Sequence, residues 1–291
     1  MTIAKKSNIK ITVGKHSGFC FGVKRAYDLA CVNSKDCDKI YVLGKLVHNK
    51  DVTCDLEKRG VIEIKSLSGA SEGTVIFTAH GVGPGLYSEA SQRGLKIIDT
   101  TCPKVMKAQR LAQNYVAKGF KVLIFGDKKH KEVKAIFDWS GKKATVFDSF
   151  DELKRMKLKK GGRYCLISQT TQNIEEFKKC VGYLKKNIKN FIHFDTICPS
   201  TYDRQGEIRE LAKNNDVMII IGGKESANSH RLYEIAKEIN PRTYFIENEK
   251  QIRIIWLKKA KKIAIGAGAS TPDWTINKVT EILRSCPLTR V

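Results

Sequence analysis

The chain has 291 residues, 42% hydrophobic and 29% charged, with a net charge of +23. That length and apolar content suit two or three compact units with cores of their own and exclude a disordered or fibrous chain. No apolar run approaches the roughly 20 residues of a membrane-spanning helix. The start, MTIAKKSNIKITV, runs straight from charged into strand-like residues, so a cytoplasmic protein with no membrane contact is expected.

In chain order, the first strand-like run is KITV at 10–13, followed by HSGFCFGV at 16–23. A helix pattern comes next, with Val23, Ala26, Tyr27 and Ala30 at i, i+3, i+4 and i+7. Strand-like runs then recur at YVLGKLVH (41–48), VIFTAHG (75–81) and LKII, which leads into DTTCPKV (99–105). The same series returns as VLIFGDKKH (122–130), YCLISQTT (164–171) and NFIHF, which leads into DTICPST (195–201). A third round supplies MIIIGGKES (218–226) and IAIGAGAS (263–270).

The register of this repeat is tight. Cys20, Cys102 and Cys198 each follow a strand-like run, and His48, His130 and Ser226 each lie 28 residues beyond their cysteine. The next polar station falls at His80, Thr170 and Ser270, which are 60, 68 and 72 residues beyond the same cysteines. Strands alternating with helices predict an α/β chain with parallel sheets. We therefore expect three similar α/β units, 13–101, 102–197 and 198–283, joined by an N-terminal strand at 1–12 and set in pseudo-threefold fashion around a central site. In parallel sheets the loops beyond the carboxyl ends of the strands form the site, and the polar clusters fall in those loops.

Nine cysteines at irregular spacing, with no leader sequence, argue against a disulfide framework. Cys31, Cys54, Cys165 and Cys180 sit in helix-like or strand-like text, where a free thiol behaves as a small hydrophobe; Cys37 and Cys286 read as loop or terminal residues. Any one of Cys20, Cys102 and Cys198 also reads as a buried structural thiol, but their equivalent places in three repeats point to a shared metal or cluster. Zinc is disfavoured, because the short CxxC and HxxxH spacings are missing. A four-iron four-sulfur cluster on three thiolates, leaving one iron open, suits the set, although ferredoxin-type spacings are missing too. His48, His80, His130, Thr170, Thr171, Ser226, Asn228 and Ser270 are short hydrogen-bond donors suited to a phosphate or diphosphate. No GxxxxGK[ST] motif indicates nucleotide hydrolysis. Glu132 is the one carboxylate in a polar cluster. In a closed pocket desolvation favours its protonated form, as a general acid requires; exposed, it is a helix-start glutamate facing the dipole. His16, His193 and His230 are out of register and receive no function.

Taken together, GFCFGV, LVHNKDV, FTAHGV, DTTCPKV, HKEV, SQTT, DTIC, GGKESANS and GAGASTPDW resemble the 4-hydroxy-3-methylbut-2-enyl diphosphate reductase family, in order from about residue 11 to residue 283. The resemblance implies the last step of the methylerythritol phosphate route to isoprenoids. In that step the allylic alcohol diphosphate is reductively dehydroxylated by two electrons to isopentenyl and dimethylallyl diphosphates. It implies one oxygen-sensitive 4Fe-4S cluster on Cys20, Cys102 and Cys198. Glu132 becomes the proton source, with Thr170 and His130 beside it. His48, His80, His130, Thr170, Ser226, Asn228 and Ser270 become substrate contacts. Ala227 departs from the family's frequent serine and removes one hydroxyl donor.

No flavin or nicotinamide fingerprint is visible, so the resemblance implies an acidic electron donor such as ferredoxin or flavodoxin. The basic surface would steer such a partner. The rival reading of the charge is a nucleic-acid-binding protein without a cluster, but no RRM, KH, zinc-finger or OB signature is present. No nucleic-acid partner is expected, and the eight residues after 283 leave no space for an RNA-binding domain. A monomer or weak dimer is expected.

Overall fold

The computed structural model describes residues 9–37 and 39–285. Cys286 and most of the N-terminal 1–12 stretch lie outside them. Two compact units divide the chain. The smaller comprises the chain up to Phe21, His48–Cys54 and the chain from Ser200; the larger comprises Gly22–Val47 and Asp55–Pro199.

The expected parallel α/β architecture is present as three four-stranded sheets. The smaller unit contributes β1 (Lys10–Val13) to the third of these. In the larger unit, α1 (Phe21–Asp36) is followed by β2 (Ile40–Leu43), α2 (Lys50–Lys58, its residues up to Cys54 belonging to the smaller unit), β3 (Val61–Ile64), β4 (Thr74–Phe77), α3 (Pro84–Gln92) and β5 (Lys96–Asp99). This sheet has the order β3-β2-β4-β5. Next come α4 (Pro103–Ala117), β6 (Lys121–Phe125), α5 (Lys131–Trp139), β7 (Thr145–Phe147), α6 (Phe150–Arg155), β8 (Arg163–Ser168), α7 (Ile174–Asn187) and β9 (Asn190–His193). Their order is β7-β6-β8-β9. The smaller unit resumes with α8 (Pro199–Asn214), β10 (Val217–Ile221), α9 (Ala227–Ile239), β11 (Thr243–Ile246), β12 (Lys262–Ala267) and α10 (Asp273–Ser285).

The third sheet has the order β1-β12-β10-β11. Read from the other edge it repeats the first two, with β1 in the place of β5 and β9. The earliest strand in the chain is thus the fourth strand of the last sheet, pairing in parallel from Lys10 with Lys262 to Val13 with Ile265. In all three repeats the cysteine comes after the fourth strand.

Both faces of these sheets are buried, as parallel sheets require. Along β10, Val217, Ile219 and Ile221 pack with Ile276, Val279 and Leu283 of α10. The alternate residues Met218 and Ile220 pack with Ile208 of α8 and with Leu232 and Ile235 of α9. The two-residue period of a strand sends alternate side chains into opposite cores. In the larger unit, Val122 and Ile124 of β6 meet Ala108 of α4 and Ile136 of α5, while Phe125 stacks on Phe147 with centroids 5.3 Å apart. Cys165 and Cys180 lie within these interiors, where burial pushes both thiols up to about 12. Cys54 differs from the sequence expectation, because α2 turns it to the exposed face.

Candidate functional site

Two backbone clamps set the site loops, and each occurs three times. The glycine after the first strand of each repeat donates to the strand beside it: Gly44 N to Ile64 O (2.7 Å), Gly126 N to Phe147 O (2.9 Å) and Gly222 N to Ile246 O (2.9 Å). Beyond the third strand lies a tight turn, closed by Gly81 N to Thr78 O (2.9 Å), Gln172 N to Gln169 O (3.2 Å) and Thr271 N to Gly268 O (3.0 Å). The second residue of each turn accepts from a cysteine N–H: Cys102 N to Ala79 O (3.0 Å), Cys198 N to Thr170 O (2.9 Å) and Cys20 N to Ala269 O (3.1 Å). The three cysteines chosen from the repeat therefore occupy one structural position. The same turns correct the repeat by one residue: Thr171, not Thr170, stands where His80 and Ser270 stand, and Thr170 matches Ala79 and Ala269.

In the larger unit, Cys102 is the N-cap of α4, with Pro103 beginning the helix. Proline suits that first position because its missing N–H has no intrahelical acceptor there. Cys198 likewise precedes Pro199, the first residue of α8. A thiolate at Cys102 faces the positive end of the helix. Gly22 of α1 makes space for it, since a Cβ there would lie 2.6 Å from Cys102 Sγ. Soft sulfur donors in repeated positions fit an iron–sulfur centre better than a hard cation.

Glu132 is in the same unit. Glu132 lies in the first turn of α5 and is 2% exposed, so it is the buried carboxyl and not the solvated helix-start residue. Its Oε1 accepts from Thr170 N (2.6 Å) and its Oε2 from Thr170 Oγ1 (2.8 Å). Burial pushes its carboxyl up to about 7 against the opposing pull of those two bonds. His130, the N-cap of α5, accepts from Glu132 N at Nδ1 (3.2 Å), and its ring lies edge-on to His80 with centroids 5.3 Å apart. A neutral His130 that accepts at Nδ1 carries its proton on Nε2.

His48, Ser226, Asn228 and Ser270 belong to the smaller unit. Ser226 caps α9, accepting from Ser229 N (3.3 Å), and Ser229 Oγ donates to it (2.9 Å). Sequence reasoning missed Ser229, although the S-x-x-S spacing at a helix start is its signal. A Cβ at Gly222 or Gly268 would lie 2.1 or 2.0 Å from Ser229 Oγ, so two site loops close on this hydroxyl only because both residues are glycine. His48 Nδ1 is 3.5 Å from Glu225 Oε2. It precedes its helix by one position more than His130 and Ser226 do, because Asn49 caps α2, accepting from Val52 N (3.3 Å). Asn228 Nδ2 and Ser270 Oγ have no hydrogen-bond partner among the described residues, and both side chains are only 7% exposed. Buried polar atoms without partners are costly and uncommon. Asn228 in the first turn of α9 and Ser270 in the turn between β12 and α10 are donors that fit an anionic ligand.

Arg204 of α8 is a second residue that sequence reasoning missed. Its guanidinium is buried and donates to Gly18 O (2.7 Å), two residues before Cys20. Its charge reads as solvated helix text in the sequence, and no short-range pattern reveals the long-range bond.

Comparison with known proteins places the chain in a family. The family model "LytB protein" matches residues 11–284. A 4-hydroxy-3-methylbut-2-enyl diphosphate reductase from Clostridioides difficile is 37% identical over 95% of this chain and 100% of its own length. One from Geotalea uraniireducens is 40% identical over 94% and 96%. The solved structure of E-1-hydroxy-2-methyl-but-2-enyl-4-diphosphate reductase from Plasmodium falciparum superposes with a TM-score of 0.90 at 25% identity, covering 97% of this chain and 90% of that one. A second solved structure, described as the terminal enzyme of the non-mevalonate pathway, is 37% identical with a TM-score of 0.69, covering 95% and 99%. The chain belongs to the LytB family of 4-hydroxy-3-methylbut-2-enyl diphosphate reductases.

Proposed function

We propose that this protein reduces (E)-4-hydroxy-3-methylbut-2-enyl diphosphate to isopentenyl and dimethylallyl diphosphates at a 4Fe-4S cluster held by Cys20, Cys102 and Cys198. The substrate gains two electrons and two protons. Its allylic C–O bond breaks, the hydroxyl leaves as water with one proton, and the other proton is added to carbon. The cluster supplies the electrons and a Lewis-acidic iron when bound.

The protein's own part is to bind the diphosphate and deliver protons. His48, His80, Ser226, Asn228 and Ser270 donate to the diphosphate oxygens, with the α9 N-terminus behind them. Ala227 leaves one hydroxyl fewer in that set. Glu132 holds the transferable proton, Thr170 passes it to the leaving hydroxyl, and His130 caps the helix turn that carries Glu132. Protonation at either end of the allyl unit accounts for two products. The observation that carries this reading is Glu132: a buried carboxyl poised near neutrality, both of whose oxygens accept from Thr170, is a general acid in waiting.

Protein prepared without oxygen should be brown and contain about four irons and four sulfides per chain. Serine in place of any one of the three cysteines should abolish turnover. A colourless, iron-free anaerobic preparation would sink the proposal. Glu132→Gln should bind the diphosphate with little change and turn over at least ~100-fold more slowly. Normal turnover in that variant would remove Glu132 from the mechanism.

A further inference from the structure

Equivalent cysteines are followed by equivalent helices, α1, α4 and α8, and these helices differ in charge. α1 carries Asp28 and Asp36, with Lys24 paired to Asp28 at 2.9 Å. α8 carries Asp203, Glu207 and Glu210, with Lys213 paired to Glu210 at 3.1 Å. α4 carries Lys104, Lys107 and Arg110 and no acid. Of the ten α-helices among the described residues, it is the only one with bases and no acids. All three bases are exposed, and none has an ion-pair partner among the described residues. They begin two residues beyond Cys102 and end about 12 Å from it along the helix axis.

Arg110 also rims a cavity of about 320 Å³ in the larger unit. Met106, Gln109 and Gln113 of α4 form one wall, and Pro84, Tyr87 and Trp139 form the other, with the two aromatic rings edge-on at 6.2 Å; Asp99, which also lines it, is engaged by Tyr87 OH (2.8 Å) and Thr101 N (2.8 Å). Ordinary solvated helix faces mix signs, as nearly all the other helices here do. A row of unpaired bases beside a recess with an aromatic wall, starting at a cysteine assigned to the redox centre, has the composition of a transient docking surface: charge steers the encounter and a small apolar contact fixes it.

We propose that the α4 face formed by Lys104, Lys107 and Arg110, with the adjoining Tyr87–Trp139 recess, docks an acidic one-electron carrier protein that reduces the enzyme. The proposal rests on the reductase reading above and adds the place of electron entry. Two reduced carriers, each giving one electron, supply one turnover. Carboxylates of the carrier meet the three bases, and an apolar side chain of the carrier enters the recess. The net charge of +23 adds long-range attraction for the same partner.

The test compares wild-type holoenzyme with the triple variant K104E/K107E/R110E, using a small acidic [2Fe–2S] ferredoxin and, separately, the cationic small-molecule donor methyl viologen. At low ionic strength the variant should lose at least ~10-fold in kcat/KM for ferredoxin and in ferredoxin affinity measured by calorimetry. It should also lose the wild type's decline of rate with salt and keep its viologen-driven rate. Met106→Asp in the recess should weaken ferredoxin binding in the same direction. Wild-type affinity and salt dependence in the triple variant would overturn the docking surface, as would equal loss with both donors. A holoenzyme inactive with viologen would instead count against the reductase reading, and the calorimetric comparison would still decide the surface.

Discussion

Replacing Glu132 with glutamine should stabilise the protein in a way that depends on pH. The wild-type carboxyl is pushed up from 4.5 to about 7, first by burial and against two opposing bonds from Thr170. A group whose folded value is raised binds more protons in the folded than in the unfolded chain between those two values. Its favourable contribution is therefore complete below about pH 4.5 and is lost as pH rises through about 7. At about 1.4 kcal/mol per unit, holding this carboxylate charged above about pH 7 costs roughly 3 kcal/mol relative to the neutral acid. Glutamine is neutral at every pH and nearly the same shape. Its amide oxygen accepts from Thr170 N, and its NH2 donates to Thr170 Oγ1, whose hydroxyl hydrogen turns away. Urea unfolding of both proteins between about pH 5 and about pH 8 should show the variant gaining about 2.5 kcal/mol on the wild type across that window, a midpoint shift on the order of 1 M. Every other titrating group cancels in the difference. A wild-type minus variant gap that stays flat over this range would refute the buried, proton-holding carboxyl and with it the proton-donor role.

Asn228→Ala and Ser270→Ala should change the stability of the ligand-free protein by less than about 0.5 kcal/mol, because each removes a buried polar atom that bonds to nothing there. Each should raise KM for the diphosphate by about 10-fold or more, measured by steady-state kinetics. Gly22→Ala introduces a Cβ 2.6 Å from Cys102 Sγ and should lower the iron-to-protein ratio of anaerobic preparations. A full complement of iron would mean that α1 moves aside. Arg204→Met should cost about 1–3 kcal/mol in urea unfolding, since Gly18 O loses its buried donor.

How much of this was readable in the sequence depended on the range of the interaction. Strands, helix starts and the cysteine repeat follow from local patterns of apolar residues, glycines and Cys-Pro pairs, and these emerged intact. Thr170 was placed one position out of register because loop lengths vary after the third strand, and only the turn bonds fix the equivalence. The location of β1 in the last sheet is a pairing between chain ends, set by Lys10 against Lys262. Ser229 and Arg204 act on residues of other loops, and each alone is ordinary helix text. Cys54 reads as core because α2 is short and mixed in character, and a rotation of about 100°, one residue, decides which face it occupies.

The repeat also bears on why the proposed proton donor occurs in one repeat of three. Two positions recur in every repeat: the residue two beyond the 28-residue station, and the turn residue whose carbonyl takes the cysteine N–H. They are Lys50 and Ala79 in the first repeat, Asn228 and Ala269 in the third, and Glu132 and Thr170 in the second. Alanine at the turn position supplies only its backbone carbonyl and N–H. Threonine supplies the same carbonyl and adds a hydroxyl, which here meets the carboxylate at 2.8 Å while its N–H meets the other oxygen at 2.6 Å. The scaffold bond to Cys198 is thus kept while the side chain is free for a second task. Glutamate beside alanine would keep the backbone donor to one oxygen and lose the hydroxyl on the other, and Thr170 without glutamate would have no proton to pass. The pair therefore makes sense only as a joint departure from the repeat, and the double variant E132Q/T170A should lose little more activity than E132Q alone.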